Sequence, residues 1–215
     1  MKPDESLEQA ARQQGYAVVC GCDEAGAGPL MGPVCAGAVI LPPGCDIPGL
    51  DDSKKLTEKK REALYDCITA QAAAYSIVSV SAAEIDEMDI LNARMLAMQR
   101  ALDGLSIKVD LALIDGNRDH GSRVAITVPH VCLIGGDGKS ASIAAASILA
   151  KVSRDRYVST ELESRYPQYR FAKHKGYGSK EHFAALRELG PCPMHRKTFR
   201  GVLPEQQTAR QGSLL

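Results

Sequence analysis

Two carboxylates stand side by side at Asp23 and Glu24, inside the stretch "GCDEAGAGPLMGP" that runs from Gly21 to Pro33. Like charges on neighbouring residues repel, so the pair is costly unless something positive is held there. Two further acids share the same setting. Asp115 ends the apolar run "LALID", and Asp137 sits in "GGDGKSAS" before a long helical stretch, where a helix start favours an ionised carboxylate. Strand ends are where α/β sheets place their ligands. Acids converging there cannot all stay charged without a cation, and an oxygen-only set suits Mg2+ or Mn2+. Two such ions about 4 Å apart are an apparatus for phosphodiester hydrolysis, one activating water and the other stabilising the leaving oxygen. Asp155 shares a helical face with Ile148 and Val152, which turns it toward the core. Taken singly, Asp23 and Asp115 also read as turn residues and Asp137 as a helix cap; the set is what points to metal. Gly26 and Gly28 let backbone approach a ligand and offer it N–H groups, although a plain tight connection would also use them.

The elements that would position these acids follow from periodicity. "DESLEQAARQQG" predicts a short helix capped by Asp4 and stopped at Gly15, and "YAVVCGCD" a strand delivering Asp23 and Glu24 at its end. "PVCAGAVIL", "AYSIVSV", "DLALIDG" and "RVAITVPHV" predict four more strands. Helices are predicted at "TEKKREALYDCITAQAA" with Thr57 as cap, at "ILNARMLAMQRALDGL", at "SASIAAASILAKVSRDRYVSTELESRY" and at "KEHFAALREL". Strands 1 to 3 are close enough in sequence for an antiparallel meander, and strands 4 and 5 follow helices and so can run parallel to strand 1. The expectation is an α/β fold with a mixed five-stranded sheet, one domain over residues 1–200, and a disordered tail at 201–215.

Composition narrows the class. With 45% hydrophobic and 24% charged residues the chain reads as an ordinary soluble protein. No charged and apolar leader opens it, and "ASIAAASILA" is about half the length of a membrane span. Seven cysteines without regular spacing suggest thiols in a reducing cytoplasm. Net charge is zero, but residues 151–200 hold 12 Lys and Arg against 5 Asp and Glu, a net of +7, together with three of the five histidines. That segment either follows a phosphate backbone or is a solvated helical surface. "GGDGKS" invites a phosphate-loop reading, but the pattern needs glycine at 133 and Leu133 stands there; nucleotide hydrolysis is a distant alternative. "CPMH" has zinc-like spacing without a second pair and reads as a loop.

On "DEAGAGPLMGPV", "LDDSKKLTEKKRE", "LIDGN", "GGDGKSASIAAASILAKVSRDR" and "HKGYGSKEHFAALRELGPCPMHRKTF", in that order, the chain resembles ribonuclease HII, the type 2 ribonuclease H family, over about residues 17–200. The resemblance implies a ribonuclease H-like sheet with a helical C-terminal extension. It implies cleavage of RNA in RNA–DNA hybrids and next to ribonucleotides embedded in duplex DNA, leaving 5′-phosphate and 3′-hydroxyl ends, by a cytoplasmic monomer. It assigns Asp23, Glu24, Asp115 and Asp137 to two divalent ions, Mg2+ or Mn2+, with Asp155 as an additional acid. Gly26, Ala27 and Gly28 map onto a motif that reads the ribose 2′-hydroxyl, Tyr177 onto a tyrosine that packs on the deoxyribose after the junction, and Lys54 onto a phosphate contact. The family's arginine at position 27 is alanine here, and its lysine before "GD" is Gly135, so two positive charges near the scissile phosphate are missing. A catalytically weakened hybrid-binding protein of the same fold is therefore the nearer alternative.

Overall fold

The computed structural model describes residues 2–117 and 121–203. Helix α1 (Ser6–Gln13) precedes strands β1 (Val19–Ala25) and β2 (Val34–Ile40), helix α2 (Glu58–Gln71) and strand β3 (Ala74–Val80). Helices α3 (Ala82–Met88) and α4 (Ile90–Asp103) lead to β4 (Leu111–Asp115) and β5 (His130–Leu133). A single 3-10 turn at Gly136–Gly138 enters α5 (Ala141–Tyr157), which runs on through the π-helical turn Val158–Leu162. Short helical turns at Pro167–Tyr169 and Phe171–His174 precede the C-terminal helix Lys180–Leu189.

The five strands form one sheet in the order β3-β2-β1-β4-β5. β1 pairs antiparallel with β2 and parallel with β4, while β2–β3 is antiparallel and β4–β5 parallel. This is the meander with parallel additions that the connection lengths predicted. One face of the sheet, through Cys20, Cys22, Ala36 and Ala38, packs on Met95, Met98 and Ala101 of α4. The other face receives α5.

Helix α5 is buried on nearly every side, and its sequence explains how. Small residues let it lie against the sheet at backbone distance: a Cβ on Gly21 would overlap the backbone of Ser142, and one on Gly37 would stand 2.6 Å from the Ala146 carbonyl. Ile148 and Leu149 are fully buried there, and truncating either to alanine would cost about 2–5 kcal/mol. Side chains alternate across a strand, so Val19, Gly21 and Asp23 share the α5 face of β1. Leu111 and Leu113 meet Ile143 on that same face, which puts Asp115 there too.

Three local expectations are corrected. The fifth strand is His130–Leu133, not the stretch "RVAITVPHV". Val124, Ile126 and Val128 do alternate inward, but the backbone there is held by α4: Arg123 N donates to Asn92 Oδ1 (2.7 Å) and Thr127 N to Gln99 Oε1 (2.8 Å). Pro129 then removes a ladder donor, and pairing begins only after it. Helix α3 lay unread between Ser81 and Asp89; a capping box of Ser81 and Glu84 starts it. Asp4 does not cap α1 directly. Its carboxylate accepts from Ser6 N (2.9 Å), one residue outside the Glu5 cap position. At the other end, the disordered tail expected at 201–215 does not hold for its first residues, since Val202 is buried against Leu30 and Leu186; residues 204–215 lie outside the described residues.

Candidate metal and nucleic-acid site

The adjacent parallel strands β1 and β4 end side by side, and the turn into α5 folds over them. Carboxylate oxygens of Asp23, Asp115 and Asp137 thereby come within 4.8 Å of one another. Each acid is fixed by a local donor. Asp23 Oδ1 accepts from Glu24 N (2.7 Å) and its carboxylate is also bonded by Ser147, which α5 presents. Asp115 Oδ1 accepts from Gly136 N (2.7 Å), tying the β4 end to the turn that carries Asp137. Asp137 meets the Lys54 amine at 3.2 Å.

Burial, then the charges of Glu24 and Asp115, push the Asp23 carboxyl well above its ordinary range. Burial likewise lifts Asp137 against the opposing pull of Lys54. Glu24 is lifted by burial although Arg94 reaches one of its oxygens at 2.6 Å. Its second oxygen, Oε2, is buried with no hydrogen-bond partner among the described residues. Three converging carboxylates and an orphaned fourth oxygen are a donor set that fits a hard divalent cation. Glu24 stands beside the three-acid cluster rather than within it, and lines the same cleft.

That cleft holds about 220 Å³ and also touches Ala27, Gly28, Lys54, Lys151 and Tyr177. Sequence reasoning had marked all of these but Lys151. The Gly26–Gly28 loop is shaped from behind by Arg196. Its guanidinium donates to the carbonyls of Gly26 (2.7 Å), Ala27 (3.0 Å), Pro29 (2.8 Å) and Gly32 (3.0 Å). In a trans peptide the C=O and the following N–H point opposite ways. With the carbonyls of Gly26 and Ala27 turned to Arg196, the N–H groups of Ala27 and Gly28 turn away from it, to the cleft side. Gly26 has φ +95°, and a Cβ there would overlap the Arg154 side chain, so only glycine fits. Arg154, fully buried, bonds the carbonyls of Met31, Pro33 and Lys175. Burial, then the nearby Arg154 charge, pulls Arg196 down to about 9, which leaves it a cation at neutral pH.

Tyr177 is half exposed, and a Cβ on Gly28 would meet its ring at 3.8 Å, so ring and glycine loop face each other across the cleft. Lys151 Nζ lies 5.8 Å from the Tyr177 ring centre and pairs with Asp155 at 2.8 Å. Asp155 thus acts on Lys151 and stands apart from the three-acid cluster. "GGDGKS" forms the 3-10 turn and a Ser140 cap, with the Lys139 amine spent on the Ile134 carbonyl at 2.6 Å. Gly135 has φ +62° and open space around its Cα. Sequence reasoning missed Arg94, Lys151, Arg154 and Arg196. Only Lys151 carried a local signal, since Ser147, Lys151 and Asp155 recur every four residues along one helix face.

Comparison with known proteins decides the family. Residues 20–202 match the family described as ribonuclease HII. The chain belongs to that family. A ribonuclease HII from Geotalea uraniireducens (strain Rf4) is 53% identical over 196 residues, covering 91% of this chain and 88% of that protein. One from Burkholderia mallei (strain SAVP1) is 54% identical over 185 residues, 86% of this chain and 84% of its own length. Among solved structures, ribonuclease H2 from Pyrococcus horikoshii OT3 superimposes with a TM-score of 0.71 at 26% identity, covering 86% of this chain and 95% of that one. As a ribonuclease HII the chain is a metal-dependent endoribonuclease. No helix among the described residues is long and apolar enough to cross a membrane.

Proposed function

We propose that the chain cuts the RNA strand of RNA–DNA hybrids and the 5′ side of ribonucleotides embedded in duplex DNA, leaving 5′-phosphate and 3′-hydroxyl ends. The observation that carries this reading is one cleft that brings Asp23 and Asp115, with Asp137 clustered against them, together with the Ala27–Gly28 loop and the Tyr177 ring. Asp23, Asp115, Asp137 and Glu24 would hold two divalent ions, Mg2+ or Mn2+. Such ions, when bound, acidify water and neutralise charge on the phosphate. The residues do the selecting. The amides of Ala27 and Gly28 donate to the ribose 2′-oxygen, a group DNA lacks. The Tyr177 face packs on the next sugar, where an added 2′-hydroxyl would crowd it. Lys54, anchored on Asp137, and Lys151, anchored on Asp155, offer their charge to the backbone phosphates beside the cut.

The test is a labelled duplex carrying a single ribonucleotide, beside an all-DNA duplex of the same sequence, in Mg2+ or Mn2+. Expected is one cut 5′ of the ribonucleotide, none in the DNA control, and loss of cutting with EDTA. Cutting of the all-DNA duplex, or binding of the ribonucleotide duplex without cutting, would sink the reading. The second result would favour the weakened, hybrid-binding alternative.

A further inference from the structure

Three histidines, His174, His182 and His195, pack under the Tyr177 loop against Phe171. None touches the cleft. His182 and His195 are essentially inaccessible to water, and their Nε2 atoms are 3.0 Å apart. Two nitrogens at that distance must share one proton, and the surrounding partners settle which carries it. His182 Nδ1 lies 3.0 Å from the Tyr177 carbonyl, which can only accept. His182 Nδ1 therefore holds the proton, and an uncharged His182 presents a bare Nε2. His195 Nε2 must then donate to it. That leaves His195 Nδ1 bare, and the Cys192 N–H donates to it at 2.9 Å. Cys192 N–H, His195, His182 and the Tyr177 carbonyl form a single chain with every donor matched to an acceptor.

The neighbouring ring is matched in the same way. His174 stacks on His182 with ring centres 4.4 Å apart. Its Nδ1 accepts from Gly176 N (3.2 Å), and its Nε2 faces the Tyr169 carbonyl (3.0 Å). Burial pulls both His182 and His195 down, His195 to about 4. A proton added to either ring would set two donors against each other. The chain also reaches the other half of the cleft. Arg196, the next residue after His195, holds the glycine-loop carbonyls, and Leu30 N donates to the Gly176 carbonyl at 2.9 Å. The pair His195–Arg196 thus sets the Tyr177 loop with one side chain and the glycine loop with the next.

We propose that His182 and His195 are positioning residues for specificity: their uncharged chain fixes Tyr177 against the Ala27–Gly28 loop and so sets the discrimination between ribose and deoxyribose after the cut. This rests on the reading of Tyr177 given above. The test uses the full chain and three variants, His182→Leu, His182→Asn and Tyr177→Ala. The asparagine amide can stand where Nδ1 stood, so it restores the bond to Tyr177. Relative to wild type, His182→Leu should lose about tenfold more kcat/KM on a single embedded ribonucleotide than on a uniform hybrid, the worth of one good hydrogen bond. His182→Asn should recover most of that ratio. Hydrogen exchange at the Tyr177 and Ser179 amides, measured without substrate, should quicken in His182→Leu and stay near wild type in His182→Asn. If Tyr177→Ala loses equally on both substrates, the reading of Tyr177 fails, and the exchange measurement alone decides whether the chain positions that loop. Unchanged exchange in His182→Leu overturns the proposal, as does an unchanged substrate ratio while Tyr177→Ala shows a selective loss. Should His182→Leu fail to fold, His182→Gln replaces it, because its amide reaches the Nε2 position instead; equal exchange and ratio in the Gln and Asn variants then overturn the proposal.

Discussion

Two buried clusters of titratable side chains lie within this fold, and they are built to opposite ends. Asp23, Asp115 and Asp137 crowd at the ends of β1 and β4 with more carboxylate oxygens than protein donors. His174, His182 and His195 crowd beneath Tyr177 with every ring nitrogen matched. Burial disfavours the charged form in both, raising Asp23 and Asp137 and lowering His182 and His195. The acids remain unsatisfied, so a cation is what they lack; the histidines are closed on themselves and lack nothing. Burial and a perturbed pKa are common to both clusters, and unmet hydrogen-bonding capacity is what separates a binding site from a brace.

The sharpest way to break that contrast is to remove one acid. Asp23→Asn should lower turnover by about a thousandfold or more, the scale seen when a charge-stabilising group is lost from a transition state. The same change should raise the melting temperature of the metal-free protein, because it relieves repulsion. For a chain of this size each kcal/mol moves it by about 2–4 °C. Near wild-type turnover with Mg2+, measured on the single-ribonucleotide duplex, would remove Asp23 from the ion site.

Removing the cation that shapes the glycine loop comes next. Arg196→Leu strips four carbonyls of their partner and should cost about 3 kcal/mol or more in denaturant melts. A loss under about 1 kcal/mol would mean the loop is held by something else.

The clusters should also part in pH. His195 ordinarily titrates near 6.5 and is held to about 4 in the fold. Between those values the unfolded chain binds the extra proton, so stability from this cluster falls as pH drops from 6.5 toward 4. Asp23 ordinarily titrates near 3.8 and is raised in the fold. There the folded chain binds the extra proton, so its contribution is lost as pH rises above 3.8 through the raised value. Between about 4 and 6.5 the two slopes oppose each other in the metal-free protein, so each is read from its variant. Relative to wild type, Asp23→Asn should remove a loss of melting temperature with rising pH and His195→Asn a loss with falling pH; a reversal of either assignment would contradict the contrast.

The smallest effect is expected at Ala27. Ala27→Arg supplies a guanidinium at the mouth of the cleft, worth about 1.5–3 kcal/mol if it reaches phosphate. KM should fall and its salt dependence steepen by about one phosphate, with ribose preference unchanged, because the carbonyls and amides of the loop stay as Arg196 sets them. If the wild-type chain is inert and Ala27→Arg activates it, recognition runs through the side chain and the backbone account is wrong.

How far the sequence exposed these two clusters follows from the range of the forces that build them. Asp23 and Asp115 could be read because a strand announces itself within a few residues, and its end follows. Helix α5 was equally plain, through its run of small and apolar residues. The strand expected at "RVAITVPHV" misled because inward alternation was real while its backbone donors went to Asn92 and Gln99, side chains of α4 some 30 residues away. The histidine chain had no local sign at all. "KEH" and "CPMH" are ordinary helix and loop residues until tertiary packing sets them 3.0 Å apart. Arg94 was read as part of an amphipathic helix, and nothing short of the folded structure shows it meeting Glu24 at 2.6 Å.

The bond from Arg196 to the Gly26 carbonyl spans 170 residues of chain. During synthesis β1 and its acids leave the ribosome long before residue 196 exists. The nascent chain therefore carries metal ligands early and a shaped reading loop only at the end, since long-range contacts of this kind form late. Until Arg196 has been made, the carbonyls of Gly26 and Ala27 lack the guanidinium that turns them away from the cleft.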